Sequence, residues 1–255
     1  MTAGGSPASP RRRGRRILAW VLGAVGGVAV LSLAGVVIWS QVGVYRAEPR
    51  PVADVRADSA IAVTDGAAGI VLAPAGGGSG DGLVFIPGAK VDPWAYAPTL
   101  AGAVAEEGLT VVITRPWLGV AFFDPRALSA FTELAPDVSS WAVGGHSLGG
   151  VRACQLATEA DALVLFASYC AADLSGSGLP VLSISGSEDG LSTPEKIADA
   201  AATLPSGTVF VEIPGASHSS FGAYGPQDGD GTPAVSDATM AAALTAALSA
   251  FLPVP

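Results

Sequence analysis

From about residue 59 onward the chain alternates between short apolar runs and longer alanine-rich segments. Runs rich in valine and isoleucine recur as AIAVTD, GIVLAP, GLVFIPG, LTVVITR, WAVGGH, LVLFASY, LPVLSIS and GTVFVEIPG. Bounded by glycine, proline and aspartate, they predict eight strands. Between many of them lie AYAPTLAGAVAEEG, PRALSAFTELA, LGGVRACQLATEA, TPEKIADAAATL and SDATMAAALTAALSAFL, whose apolar positions follow a helical period. Strands alternating with helices predict an α/β domain with a mostly parallel eight-stranded sheet covered on both faces. Only DGAA separates the first two strands, which suits an antiparallel hairpin ahead of the parallel part.

The N-terminal region has a different pattern. A polar stretch, MTAGGSPASPRRRGRR, is followed by an uncharged one from Ile17 to Trp39. At about 1.5 Å per residue, that stretch can cross the roughly 30 Å hydrocarbon core as one helix. Arg11, Arg12, Arg13, Arg15 and Arg16 all precede it, so the positive-inside rule places the N-terminus in the cytoplasm and the rest outside. The paired arginines of GRRILAW also occur in twin-arginine signals, but the long apolar run favours an uncleaved signal-anchor over a cleaved signal peptide. The predicted organisation is a basic cytoplasmic tail (1–16), a transmembrane helix (17–39), a linker (40–58) containing Pro49 and Pro51, and one α/β domain (59–255).

Charge changes the list of partners. The whole chain has 13 basic and 22 acidic residues; without the five tail arginines, 8 basic residues remain and the formal charge is −14. Such a domain has no electrostatic footprint for nucleic acid and is repelled by anionic head groups, so membrane contact is expected only through the N-terminal helix. Two histidines and two well-separated cysteines make no metal-ligand cluster, and there is neither a P-loop nor a dinucleotide fingerprint, so no cofactor is expected. Asp228-Gly229-Asp230-Gly231 hints at calcium but lacks the remaining EF-hand ligands, and a solvated turn is the preferred reading. Cys154 and Cys170 are read as two buried free thiols by default, with a disulfide as the alternative outside the cytoplasm.

Candidate chemistry centres on VGGHSLGG. Gly145-His146-Ser147-Leu148-Gly149 is a G-x-S-x-G between a predicted strand and a predicted helix, the context of a nucleophile elbow with Ser147 as nucleophile. His218, after the last strand in VFVEIPGASHSSFG, is the candidate base. The acid is sought in SISGSEDGLSTPEK, where Asp189 is preferred to Glu188 because a glycine follows it; Asp173 is the alternative from the preceding strand. Oxyanion donors are expected from the backbone N–H of Leu148 and of Ala89, with Lys90 as an alternative donor or a substrate contact. Trp94, Tyr96, Trp117, Phe122, Phe123 and Phe221 fall in or near loops after strands, where an apolar substrate wall is expected.

These segments are similar to the α/β-hydrolase superfamily, in particular its small dienelactone-hydrolase-like, fold-5 group. The resemblance runs from about Ala60 to Phe251 and rests on FIPGAKVDPWAYAP, GGHSLGG, SISGSEDGLSTPE and HSSFGAYGPQDGDG. It implies Ser147 as nucleophile, Asp189 as acid, His218 as base and hydrolysis of an ester-like bond. Dienelactone hydrolases proper use a cysteine where this chain has Ser147, so their lactone is not carried over. TRPWLGVAFFDPRA also departs from the more polar stretch of related sequences. Only AADLSGSG separates two strands where many such enzymes insert a cap, so an open site for small soluble esters, thioesters or lactones is expected. The competing functions are a noncatalytic binding module of the cell envelope and a peptidase or acyltransferase using the same triad.

Overall fold

The computed structural model describes residues 10–252, so residues 1–9 of the expected basic tail and residues 253–255 lie outside it. The chain divides into two compact units, the second starting at Gly43. The first is dominated by helix α1 (Pro10–Gln41), in which Ile17–Gln41 is long and apolar enough to cross a membrane.

The second unit is built on one sheet. Its strands are β1 (Ile61–Asp65), β2 (Gly69–Pro74), β3 (Asp81–Ile86), β4 (Thr110–Thr114), β5 (Ser140–His146), β6 (Ala162–Phe166), β7 (Val181–Gly186) and β8 (Val209–Ile213). They lie in the order β1-β2-β4-β3-β5-β6-β7-β8. β1 pairs antiparallel with β2, as the short connection predicts, and β2 pairs antiparallel with β4; every pairing from β4 to β8 is parallel. The predicted eight-stranded, mostly parallel sheet is therefore observed.

Strand alternation divides the core in two. Leu83, Phe85, Val111, Ile113, Val164 and Phe166 face one side, where they meet Leu100 and Val104 of helix α3 (Ala97–Ala105) and Leu244 and Leu248 of helix α7 (Asp237–Phe251). Val84, Ile86, Val112, Val143, Leu163 and Leu165 face the other, with Phe131 of the short helix α4 (Ser129–Thr132) and Cys154 and Leu156 of helix α5 (Leu148–Leu156). Both faces of the inner strands are thus buried, which is why they read as continuous apolar runs, while the edge strands β1 and β8 are largely exposed. Helix α6 (Pro194–Ala200) follows β7, while residues 167–180 between β6 and β7 contain no helix or strand and so no cap.

Two expectations need correction. Residues 40–58 were expected to be a linker, yet from Gly43 they belong to the α/β unit. The Tyr45 N–H donates to Lys90 O (2.8 Å), the Asp92 N–H to Tyr45 O (2.9 Å) and the Glu48 N–H to Ala223 O (2.8 Å). Residues Pro49–Ala57 form helix α2, which buries Val55. The proline that suggested a tether begins this helix, where a missing N–H costs nothing because the first turn has no partner for it.

The second correction concerns the thiols: Cys154 and Cys170 form a disulfide, with a Cα–Cα distance of 5.6 Å. Strand pairing accounts for it. β5 and β6 are parallel neighbours, so the helix leaving β5 and the loop leaving β6 start side by side. Closing a loop of sequence separation 16 contributes about 3 kcal/mol in the chain-entropy account.

Candidate active site

The chain runs from β3 outward to β4 and then returns to β5 on the opposite side of β3. Loops leaving β3 and β5 therefore diverge at a topological switch point, where the C-terminal edge of a parallel sheet opens into a crevice. The FIPGAK loop follows β3 and Ser147 follows β5.

Ser147 occupies the turn between β5 and α5 with φ 53° and ψ −124°, a backbone conformation that an L-residue rarely adopts. Its N–H donates to Phe166 O (3.0 Å) and its carbonyl accepts from Ser168 Oγ (2.7 Å), so the turn is tied to β6 and the loop after it. Bulk is excluded around it. A Cβ at Gly149 would overlap Ile86 O and Pro87 O, and one at Gly145 would lie 2.7 Å from Ile86 O. The elbow and the loop after β3 therefore touch backbone to backbone. Ser147 itself is only half-buried, and α5 presents its N-terminus, with Leu148 first, at this point.

His218 and Asp189 approach the same edge from β8 and β7. His218 Nδ1 lies 2.8 Å from Asp189 Oδ2, and both side chains are almost completely buried. The other carboxylate oxygen, Oδ1, accepts from Leu191 N (2.8 Å) and Ser192 N (2.7 Å). Asp189 is thus held on both oxygens and presents one of them to the imidazole. The alternatives from the sequence do not reach it. Glu188 is exposed, and exposed Asp173 is engaged by Ser175, whose side chain first and backbone N–H second (2.9 Å) keep its pKa below the usual range. His218 in turn packs against His146, the residue before Ser147, with ring centroids 4.4 Å apart. No hydrogen bond joins Ser147 Oγ to His218 in this conformation.

Beneath the elbow lies a buried polar chain. Tyr96 Oη accepts from Gly88 N (2.9 Å) and lies 2.9 Å from His146 Nδ1, with Tyr96 and His146 both fully buried. Burial pushes the Tyr96 pKa up, so the phenol keeps its proton. Burial first, and the neighbouring His218 ring second, push the His146 pKa well below the usual histidine range; an interaction with the His218 backbone opposes this only in part. The ring is therefore neutral, and its Nε2 has no hydrogen-bond partner among the described residues. In the unfolded chain His146 takes up a proton below about pH 6.5, whereas in the native state it does not, so stability falls as pH drops through that value. The expected loss approaches about 1.4 kcal/mol per pH unit for this one group. Thermal melts from pH 7 to pH 5 test this, and the acid dependence should weaken in His146→Gln.

The other predicted site residues separate into two groups. Trp117 (54% exposed), Phe122 (50%) and Phe123 (45%) stand open to solvent on the loop after β4. That loop is attached to the loop after β3, because Lys90 N donates to Gly119 O (2.7 Å). The same bond commits the backbone N–H of Lys90 and leaves Ala89 as the loop's candidate donor beside Leu148. Phe221, by contrast, is fully buried between His146 and Phe166, and Tyr96 serves the polar chain just described. Trp94 is buried, with Nε1 donating to Asp65 Oδ2 (3.3 Å) and the Arg56 guanidinium 4.1 Å above its ring. Phe221 and Tyr96 therefore pack against His146 beneath the site, Trp94 packs against Asp65 and Arg56, and none of the three lines the site, contrary to expectation. A large apolar residue in a loop can serve either purpose, and only packing distinguishes them.

Sequence reasoning also missed Asp230, read as part of a solvated turn. Its Oδ1 accepts from His218 N (2.9 Å), Gly190 N (3.2 Å) and Gly231 N (2.7 Å), and its Oδ2 from Ser219 N (2.8 Å) and Ser219 Oγ (2.9 Å). Donors surround both oxygens. Among the described residues there is no group of three or more His, Cys, Asp or Glu side chains that could hold a metal ion. The available signal was an aspartate between glycines twelve residues after the only histidine outside the elbow.

A family model described as "Alpha/beta hydrolase family" matches residues 82–242. No curated protein matches the sequence. Among solved structures the chain is similar to the esterase domain of a Rhodothermus marinus protein, at 16% identity, with 74% of this chain and 95% of that one covered and a TM-score of 0.55. It is also similar to an a/b serine hydrolase without lid from Xanthomonas campestris, at 18% identity, 78% and 97% coverage and a TM-score of 0.49. An alpha-beta serine hydrolase homologue from Coxiella burnetii is 18% identical, with 63% and 89% coverage and a TM-score of 0.43. At these identities the likeness is one of fold.

Proposed function

The chain belongs to the alpha/beta hydrolase family, and from that premise we propose that it is a serine hydrolase of ester-like bonds, held at the cell membrane by its N-terminal helix with the α/β unit outside the cytoplasm. The observation that carries the reaction is the buried Asp189–His218 pair at the sheet edge where Ser147 stands on its strained turn. Nδ1 of His218 is engaged by Asp189, so Nε2 is the nitrogen that takes the Ser147 proton as Oγ attacks the carbonyl carbon. The oxyanion gathers at the amides of Leu148 and Ala89. Collapse of the tetrahedral intermediate expels the alcohol or thiol, which takes the proton back from His218, and leaves an acyl-serine; in a lactone the leaving group stays tethered. Water, deprotonated by the same nitrogen, then releases the acid.

The site has no cap, and its exposed aromatics, Trp117 and Phe122, stand beside the oxyanion loop with Lys90. Small soluble carboxylesters, thioesters or lactones suit such a surface, since little of a long chain would be enclosed. Two features support the location. The Cys154–Cys170 disulfide suits an oxidising compartment, and the five arginines before the apolar span Ile17–Gln41 suit a cytoplasmic N-terminus.

Labelling of the full-length chain in detergent with a fluorophosphonate tests the reaction. The adduct is expected on the Ser147 peptide and is lost in both Ser147→Ala and His218→Ala; a folded wild-type chain that stays unlabelled overturns the reading in favour of a binding module. Faster turnover of p-nitrophenyl palmitate than of p-nitrophenyl acetate would overturn the small-ester assignment. Protease added outside intact cells should cleave the α/β unit.

A further inference from the structure

A histidine and an aspartate borne by separate loops stay in register only if the loops are fixed to each other. The base loop follows β8 and the acid loop follows β7; Glu188 N donates to Ala216 O (2.9 Å) and Gly215 N to Ser187 Oγ (2.8 Å) where the loops leave their strands, and the Asp189–His218 bond joins them further out. Asp230 adds the connections nearest the His218 and Asp189 side chains. It arrives from a turn beyond both, accepting Gly190 N from the acid loop and His218 N, Ser219 N and Ser219 Oγ from the base loop. The turn also sits hard against the acid loop: a Cβ at Gly231 would overlap Glu188 O, and one at Gly190 would lie 2.8 Å from Gly231 N.

We propose that Asp230 is a positioning residue of the active site, a carboxylate latch that holds the loop bearing His218 against the loop bearing Asp189. It touches neither substrate nor the reacting atoms. Its effect passes through the backbone of His218, whose amide it holds, and through Gly190, the residue after the acid. Burial alone would raise its pKa, but the amides of Ser219, His218 and Gly190 more than offset that and keep it below the usual carboxylate range. The latch is therefore charged at neutral pH, which strengthens each of its hydrogen bonds. An alanine at this position would leave all five donors without their acceptor, and water, which is mobile, does not restore a fixed geometry.

The test compares the full-length wild-type chain in detergent with Asp230→Ala and Asp230→Asn. The kinetic arm rests on the serine-hydrolase reading; the spectroscopic arm does not. In Asp230→Ala, kcat for p-nitrophenyl acetate should fall by about 10²-fold, the scale of a misplacement near 1 Å, while KM stays within about twofold. Asp230→Asn keeps an oxygen for one side of the latch but places an NH2 on the other, so a loss of about tenfold is expected. The low-field proton resonance of His218 Nδ1–H should be sharp in the wild type and broadened or lost in Asp230→Ala. A purely structural role would lower Tm but leave kcat per folded molecule and this resonance unchanged, and that result overturns the proposal. Should the wild type hydrolyse no ester, the resonance alone decides: its loss in Asp230→Ala supports the latch and its persistence overturns it. Should Asp230→Ala not fold, the same readouts on Asp230→Asn decide.

Discussion

Ser147→Ala should lower kcat for p-nitrophenyl acetate by about 10⁵- to 10⁶-fold, the loss expected when the nucleophile of an acyl-enzyme mechanism is removed. Folding should survive, because the side chain is half-exposed and its backbone, not its hydroxyl, carries the bonds to Phe166 and Ser168. Alanine inherits the strain of φ 53°, whereas glycine does not. Ser147→Gly should therefore be inactive but more stable than Ser147→Ala by about 1 kcal/mol. Steady-state kinetics and thermal melts on the pair separate the two effects. Residual activity within tenfold of wild type would remove Ser147 from the mechanism.

Asp189→Asn should have the next largest effect, about 10⁴-fold on kcat with little change in KM. Volume and burial are conserved, and the amide oxygen can still accept from Leu191 N and Ser192 N. The NH2 would then face His218 Nδ1, donor against donor. The ring escapes this clash by moving its proton to Nε2, the nitrogen that must be bare to receive the Ser147 proton. Kinetics of the folded variant provide the check, and a loss smaller than tenfold would show that the buried pair is structural.

Much of the fold was legible because burial writes itself into sequence. Strands covered on both faces must be apolar throughout, and helices covering them must be apolar on one side, so the inner strands appeared in order, while the largely exposed edge strands β1 and β8 were legible as short valine-containing runs. The elbow was legible for a related reason. Gly145 and Gly149 are required by backbone contacts within the turn itself and with the strand beside it, so the motif announces its own geometry. Local signals were weaker where packing had the last word. Pro49 and Pro51 read as a tether but begin a docked helix, and PRALSAFTELA yields a single α-helical turn, Ser129–Thr132. Trp94, Tyr96 and Phe221 read as pocket wall but are enclosed by neighbours from distant strands.

By itself the sequence determined the class of architecture, the strand-turn-helix around Ser147, the order of serine, acid and histidine, and the apolar N-terminal stretch, because each rests on the chemistry of residues close together in the chain. Only the tertiary structure decided which carboxylate meets His218, that Cys154 meets Cys170, that Tyr96 and His146 join the loop after β3 to the elbow, and that Asp230 spans the loops after β7 and β8. Each of those contacts joins residues brought together by strand order and loop packing, and a hydrogen bond or a disulfide forms only within a few ångströms.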